Sequence, residues 1–432
     1  NAIAGITSPL AYQTFVGISS PTTAASTNTS LNFLESFNRL FRESGGTVGL
    51  VLETKQALHD SSLLHIDDDR PLLLHAGSGD ISGLTLFSPK AANIFAGRDI
   101  SDVAFYIQNL RSTDTSVIAA GRDILPYSTS SQLRVNATSS GNLLNLNAGP
   151  LAGDIQISGP GSLQVIAGGD IDLGTGANNA DGTGSGITSI GNTRNPYLAS
   201  QGAHLLIGAG ISTTSTLANS ALHLDEFIDA YVTTEKGKEY LKQISPDLVF
   251  ENLSSEEQAR IAIEVFQLIL RDAGRAYPET GNYDTALAAI DVLLGELEEG
   301  EIPAPGNILT RARDIRTTQG GNIDILTPGG GLTLANSTFG NTLSPPGIIT
   351  ESGGNISIFA RNDISIGIGR IFTLRGGDEI LWSSEGNIAA GSSSKTVQSA
   401  PPTRVIIDPQ SAAIQTDLAG LATGGGIGVL GT

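Results

Sequence analysis

The chain has 432 residues, 16% of them charged, a net charge of −19 and no cysteine. This length exceeds the size at which one compact core stops growing, so we expect several domains or one domain elongated by repetition. The acidic balance argues against binding to nucleic acids or anionic membranes, because phosphate contacts need clustered Lys and Arg. Without cysteine there is no disulfide framework, thiol nucleophile or Cys-based metal site. No apolar run reaches the roughly 18 residues of a membrane-spanning helix.

Residues 1–60 differ in pattern from the rest of the chain. The stretch SLNFLESFNRLFRES at 30–44 predicts a short amphipathic helix on which Phe33, Phe37 and Phe41 cluster. Its polar face is not basic, which disfavours a membrane-surface role. We expect this N-terminal segment to cap an open end of the fold.

A short unit recurs from residue 77 to residue 391: one or two small residues, then Asp or Asn, then alternating apolar residues. Glycine tolerates positive φ, and Asp or Asn can bond its own backbone, so together they form a corner. The alternation that follows has period two and predicts a short strand. The corner residues predicted in this way are Gly97, Asp99, Gly121, Asp123, Gly153, Asp154, Gly169, Asp170, Asn322, Asn355, Asp363 and Asn387.

The spacing of these units predicts the fold class. Asp99 and Asp123 are 24 residues apart and Asp154 and Asp170 are 16 apart, without helical patterns between them. This does not fit a βαβ sheet and predicts a mainly β protein, a right-handed parallel β-helix over residues 61–221 that continues over 303–432. Antiparallel β-sandwiches are the alternative, but they need hairpin turns such as Asn-Gly, which the sequence lacks.

The alternation stops over residues 222–302, where three helices are predicted. Leu224, Phe227 and Tyr231 have helical spacing in the first, and Ser254 with Glu257 forms a capping box at the start of the second. This inserted α-helical subdomain either packs on the flank of the rod, or folds on itself, or docks another protein.

Two further predictions concern the ends and faces of these helices. Gly274 is a candidate end of the second helix. The third helix starts at Asp284, and its predicted buried face consists of Leu287, Ile290, Leu294 and Leu297.

Arginine and aspartate stand side by side in three units, at Arg98 and Asp99, Arg122 and Asp123, and Arg313 and Asp314. Such pairs could be catalytic. However, a group that catalysis needs once does not recur at successive corners. We therefore expect the aspartate to hold the turn and the arginine to reach solvent or the next coil.

The run His65-Ile66-Asp67-Asp68-Asp69-Arg70 concentrates three carboxylates beside a histidine. The oxygens of Asp67, Asp68 and Asp69 suit calcium, so they form a weak candidate metal site. Adjacent residues of a strand point to opposite faces, however, which favours a solvated acidic turn. The histidines lack the spacing of a zinc site, and no cofactor is predicted.

Residues 67–124 resemble the filamentous-haemagglutinin-like exoproteins of bacterial two-partner secretion. So do the stretches GPGSLQVIAGGDIDLG, GITSIGNTRNP, SSEGNIAAGSSSKTVQSAPPTRVIIDP and ATGGGIGVL. The resemblance extends from about Leu50 to the end and corresponds to a C-terminal-type shaft region. It implies export through an outer-membrane partner translocator, folding outside the cell as a long β-helix, and a role in adhesion, fibres or biofilm.

Repeat and resemblance together predict a non-enzymatic, secreted, surface-associated structural or adhesive protein. Copies would form fibres through end-to-end or insert-mediated contacts, or the chain would be part of a longer shaft, with a host or glycan receptor as partner. Two alternatives are a β-helical polysaccharide-active enzyme, which needs carboxylates converging in one groove, and a glycan-binding adhesin module.

Overall fold

The computed structural model describes most of the repeat region. The described residues are 3–4, 61–125, 154–174, 186–193, 195–295, 304–311, 313–334, 346–390, 404–407, 414–417 and 426–430. The predicted N-terminal helix at 30–44 and the corner residue Gly153 lie outside them.

Three parallel sheets run along the molecule, two of eight strands and one of nine. Each turn of the chain adds one strand to each sheet, so the described residues make eight coils. The strands pair in register with the equivalent strands of the coils before and after, as Ile100 does with Ile124. The predicted parallel β-helix is confirmed.

Sheet 1 holds the first strand of each coil. Its strands are Leu72–Ala76, Ala92–Ala96, Thr115–Ala120, Ser162–Ala167, His204–Ala209, Ile323–Thr327, Ile356–Ala360 and Glu379–Ser383.

Sheet 2 consists of two-residue strands that follow the corner motif. They are Ile3–Ala4, Ile81–Ser82, Ile100–Ser101, Ile124–Leu125, Ile171–Asp172, Ile308–Leu309, Leu332–Thr333, Ile364–Ser365 and Ile388–Ala389.

Sheet 3 holds the last strand of each coil. Its strands are Thr85–Ser88, Ala104–Gln108, Asp154–Ser158, Gly186–Ser189, Asp314–Thr317, Gly347–Thr350, Arg370–Thr373 and Gly426–Val429. An antiparallel pair, Arg404–Ile407 with Ile414–Asp417, lies outside the three sheets.

The core is a stack of inward-facing aliphatic side chains. In sheet 2 the first residue of each strand repeats as Ile or Leu, and Ile100, Ile171 and Ile308 have no exposed surface. Each side chain therefore packs on its equivalent in the next coil, so burial rather than charge accounts for the isoleucine of the recurring unit.

The helices lie between strands His204–Ala209 and Ile308–Leu309, within the fifth coil. Four α-helices and three short helical turns occur among the residues described there. They are α1 (Leu224–Phe227), α2 (Glu235–Ile244), α3 (Ser255–Thr280) and α4 (Asp284–Leu294), with turns at Leu217–Asn219, Ile228–Val232 and Phe250–Asn252. None of the described helices is both long and apolar enough to cross a membrane.

Local signals set some helix ends and not others. Ser254 Oγ accepts a hydrogen bond from the Glu257 N–H (3.3 Å), so the predicted cap of α3 is present. The predicted end at Gly274 is wrong: α3 continues to Thr280 and ends at Gly281, whose φ is 70°.

The apolar face predicted for α4 is only partly the buried one. Ile290 is buried, but Leu287 is 48% exposed, and Leu297 lies outside the described residues. The buried face also contains Ala286, Ala289 and Leu293.

Candidate functional site

The corner between sheet 1 and sheet 2 carries a ladder of side-chain hydrogen bonds along the rod. In each step an Asp or Asn oxygen accepts the backbone N–H of the equivalent residue in the next coil. Asp123 Oδ1 accepts from the Asp170 N–H at 2.8 Å, and Asp170 Oδ1 accepts from the Asn307 N–H at 2.7 Å. Further steps join Asp80 to Asp99, Asp99 to Asp123, and Asp363 to Asn387.

The arginines of the AGRDI units reinforce this ladder. Arg98 Nε and Nη2 bond both oxygens of Asp80, at 3.0 and 2.7 Å, and Arg122 pairs in the same way with Asp99. The hydrogen bond from Arg98 lowers the pKa of Asp80. Each arginine thus bridges to the preceding coil, not to the next one, and the pairs join coils rather than form a reaction centre.

Glycine at this corner allows the coils to approach closely. A Cβ on Gly121 would lie 2.4 Å from the Gly97 carbonyl oxygen, which no larger residue tolerates. Gly97 and Gly121 therefore set the stacking distance of the coils at this edge.

The predicted corner residues do not all lie at one corner. Asn322 and Asn355 lie where sheet 3 leads into sheet 1, and they form a second ladder. Asn322 Oδ1 accepts from the Asn355 N–H (2.9 Å), and Asn355 Oδ1 accepts from the Asp378 N–H (2.8 Å). Asp154 departs from the prediction: its backbone pairs with Ala104, so it is the first residue of a sheet 3 strand.

Substituting Asp170 is expected to weaken the ladder where the fourth coil meets the fifth. Asp170→Ala leaves the Asn307 N–H without its acceptor, and we expect a loss of about 1–3 kcal/mol in the free energy of unfolding. Asp170→Asn keeps an acceptor oxygen and is the matched control. Chemical denaturation of the three proteins checks this; equal stability of the Ala and Asn variants would contradict it.

Two carboxylates of the acidic run at 65–70 form ion pairs with basic side chains from elsewhere in the chain. Asp68 Oδ2 lies 2.6 Å from Lys90 Nζ, and this hydrogen bond lowers the pKa of Asp68 to about 2. Asp69 pairs with Arg111. The structure does not bring Asp67, Asp68 and Asp69 together as ligands, and no acidic or histidine cluster suited to a metal ion occurs within the described ranges.

The helical insertion packs against the outer face of sheet 1. That face presents apolar side chains in successive coils, and all of them are buried. They are Val117, Ile166, Leu206, Leu326 and Phe359. Phe359 contacts Phe266 of α3 edge to face, with ring centroids 5.4 Å apart. From the third to the seventh coil, sheet 1 is thereby covered on both faces, as parallel sheets commonly are.

The far end of this helical cover reaches the eighth coil. Tyr283, which precedes α4, contacts Trp382 of the last sheet 1 strand edge to face, with centroids 5.3 Å apart. Trp382 lies at this seam between cover and sheet. The insertion therefore packs on the flank of the rod, which was one of the alternatives left open by the sequence.

A polar cluster is buried between α3 and sheet 1. Arg260 Nη1 lies 2.6 Å from Glu264 Oε1, and the Asn322 side chain donates to the same oxygen at 3.3 Å. His204 Nδ1 accepts from the Asn322 N–H at 3.2 Å and lies 3.9 Å from Glu264. Asp324 is 2% exposed, and its Oδ2 has no hydrogen-bond partner.

Burial shifts the ionisation of two groups in this cluster. Desolvation, with the charge of Arg260, lowers the pKa of His204 to about 4. Desolvation, with the charge of Glu264, raises the pKa of Asp324 well above its ordinary value. Glu264 of α3 and Asp324 of sheet 1 are both buried where the helical cover meets the sheet, so their ionisation is linked to docking of the cover. Sequence reasoning missed this cluster, although Glu264 within the apolar run ARIAIEVFQ was a signal.

The architecture is that of a three-sheet parallel β-helix with a helical cover on one face, and its polar corners serve to join the coils. Residues 376–432 match the family model described as "Filamentous haemagglutinin family outer membrane protein". The resemblance stated from the sequence is confirmed by this match, which begins just before the eighth coil. It indicates a filamentous-haemagglutinin-like outer-membrane protein. No curated protein and no solved structure matches the chain.

Proposed function

We propose that this chain is a shaft segment of a secreted, surface-associated adhesive protein, and that copies join end to end into fibres. The observation that carries the proposal is the state of the two outermost coils. The inward residues Leu205 and Ile207 of the fifth coil have no exposed surface, whereas Leu72 in the first coil and Leu381 in the eighth are half-exposed.

Open strand edges at both ends favour growth along the rod. Sheet 1 ends at Leu72–Ala76 and at Glu379–Ser383 among the described residues, and unpaired edges accept further strands. The helical cover blocks the outer face of sheet 1, which disfavours association through that face. Leu73 in the first edge strand is 74% exposed, because the helical cover does not reach the outer face of sheet 1 in the first coil.

The secretion route follows from the same proposal. A two-partner system carries the unfolded precursor through its outer-membrane translocator, and the chain then folds outside. The corner ladders suit such folding, because each coil bonds only to its neighbours and can add to those already formed.

Leu73→Lys is expected to shorten or abolish the fibres, because lysine on an edge strand opposes strand pairing. Leu73 is largely solvent-exposed, so the substitution leaves the folded chain intact. Leu287→Lys is the matched control, since it places the same charge on an exposed leucine of α4. Negative-stain electron microscopy and light scattering over a range of concentrations give the readout. A wild-type chain that stays monomeric at high concentration would contradict the proposal. Loss of fibres in the control variant alone would indicate that copies contact each other through the insertion.

A further inference from the structure

Three aromatic side chains meet where the helical cover reaches the eighth coil. Tyr277, near the end of α3, stacks on Tyr283, with ring centroids 4.4 Å apart and an angle of 14° between the rings. Tyr283 in turn contacts Trp382 of sheet 1 edge to face. Tyr277, Tyr283 and Trp382 therefore form one aromatic cluster, built from both sides of the seam between cover and sheet.

Solvent reaches this cluster, unlike the aromatic contacts deeper under the cover. Tyr277 is 42% exposed and Tyr283 is 39% exposed, whereas Phe266 and Phe359 have no exposed surface. Aromatic residues make up only 5% of the chain, and Trp382 is its single tryptophan. Docking of the cover explains the contact between Tyr283 and Trp382, but it does not explain the exposed ring of Tyr277 that stacks on them.

The backbone and one side chain hold these rings in place. Tyr277 lies in the last turn of α3. The Tyr283 carbonyl oxygen accepts the Leu287 N–H at 2.9 Å at the start of α4. Trp382 Nε1 donates to Ser384 Oγ at 3.1 Å, which orients the indole ring. Tyrosine and tryptophan held in this way offer rigid contact area that loses little conformational entropy when a ligand binds.

The surroundings of the cluster favour an uncharged ligand. One positive and two negative charges occur in the segment 275–284, and all three side chains are exposed. They are Arg275, Glu279 and Asp284. Together with the net charge of −19, this balance opposes anionic ligands. Thr280 and Asn282 are exposed in the same segment and supply polar groups close to the rings in the chain.

Two other kinds of ligand fit the cluster less well. An aromatic cage for a cationic ammonium group needs ring faces turned towards a shared space. Here the rings pack on one another, with centroids 4.4 and 5.3 Å apart, which leaves no space between them. A specific protein partner needs about 800 Å² of surface on each side, and three partly exposed rings provide far less.

We propose that the aromatic cluster binds a neutral saccharide, with Tyr277 as the ring on which a sugar stacks. A pyranose ring has a face of C–H groups that packs against an aromatic ring, while its hydroxyl groups hydrogen-bond polar side chains and water. Thr280 and Asn282 provide such side chains. The inference rests on the adhesive role proposed above, for which it names a ligand class and a site.

An array of neutral and sialylated oligosaccharides, incubated with the full chain, tests the ligand class. We expect binding to neutral oligosaccharides and no gain in binding from sialic acid. The neutral oligosaccharide that binds best is then titrated in solution. A saturable change in the fluorescence of Trp382 is expected, because a ligand on Tyr277 and Tyr283 alters the surroundings of the only tryptophan.

Three variants locate the site. Tyr277→Ala should weaken saccharide binding by about tenfold, because it removes the stacking ring. Tyr277→Phe keeps that ring and should bind within about twofold of the wild type. Tyr197→Ala removes a tyrosine of similar exposure (37%) that lies between strands Gly186–Ser189 and His204–Ala209, so it is the matched control. All three should keep the wild-type midpoint in urea, which shows that the cover remains docked.

Three results would overturn the proposal: no binding to any oligosaccharide of the array, binding to sialylated ones alone, or equal binding by Tyr277→Ala and the wild type. If Tyr277→Ala instead lost fibres while binding saccharide like the wild type, the cluster would be a contact between copies. Saccharide binding by a chain that forms no fibres would contradict only the fibre proposal.

Discussion

Deletion of residues 211–305 is expected to leave the β-helix folded but to make it associate through sheet 1. The two ends of the insertion touch, since a Cβ on Gly306 would lie 2.0 Å from the Gly210 nitrogen. Joining them gives the sequence A-G-G-N-I, which repeats the A-G-G-D-I corner at 167–171. The deletion therefore rebuilds a corner of the kind found in the other coils, and the bond between Asp170 and the Asn307 N–H can persist.

Association follows from the surface that the deletion exposes. Exposing each aliphatic or aromatic side chain under the cover costs about 1.5–3 kcal/mol of hydrophobic free energy. Together these side chains form an apolar surface patch. Those side chains are Val117, Ile166, Leu206, Leu326 and Phe359. Far-UV circular dichroism should still show β structure, while size-exclusion chromatography and binding of a hydrophobic dye should report association.

A second deletion variant makes the cause testable. Replacing the same five side chains by threonine in the shortened chain should restore solubility, because threonine suits strands and presents a hydroxyl group to water. If the simple deletion stayed monomeric without binding dye, the cover would not be shielding sheet 1. If it lost its β signal, the insertion would be needed for the rod itself.

Local chemistry made the rod predictable from the sequence. Gly97 with Asp99, and Gly121 with Asp123, form the corner within a few residues, so each repeat can be recognised from its local sequence. The sequence analysis placed the insertion at 222–302. The corner motif that the insertion interrupts begins with Ala209 and Gly210 and is completed by 306–308, which is a signal that the analysis missed.

Long-range packing explains what the sequence did not reveal. The strands of sheet 1 are apolar on both faces, as in SVIAA at 116–120, and this signalled that something covers them. Nothing local connects Phe359 with Phe266, however, or Trp382 with Tyr283. Such pairs depend on register across several coils. The error at Leu287 has the same origin, since the neighbours of α4 decide which of its faces is buried.

Docking of the helical cover is expected to depend on pH through two buried groups that act in opposite directions. His204, whose pKa falls to about 4, is held neutral between Arg260, Glu264 and Asn322. Its contribution is fully present above its ordinary pKa of 6.5 and is lost as the pH falls towards 4, by about 3 kcal/mol at full protonation. For Asp324 the direction is reversed. Because its pKa is raised, its contribution is fully present below its ordinary pKa of 3.8 and is lost as the pH rises from there through the raised pKa.

Trp382 makes both effects measurable, because it is the only tryptophan of the chain and contacts Tyr283 of the insertion. Its fluorescence during urea titrations at about pH 5, 7 and 9 should report undocking of the cover. In Asp324→Asn the midpoint should fall from pH 7 to pH 5, because His204 still titrates, and in His204→Gln it should fall as the pH rises from 5, because Asp324 still titrates. Glu235→Gln, on the exposed surface of α2, is the control that should follow the wild type at every pH. A midpoint that changes with pH in neither of the two variants would contradict the role of this cluster, because burying His204 and Asp324 links docking to their protons.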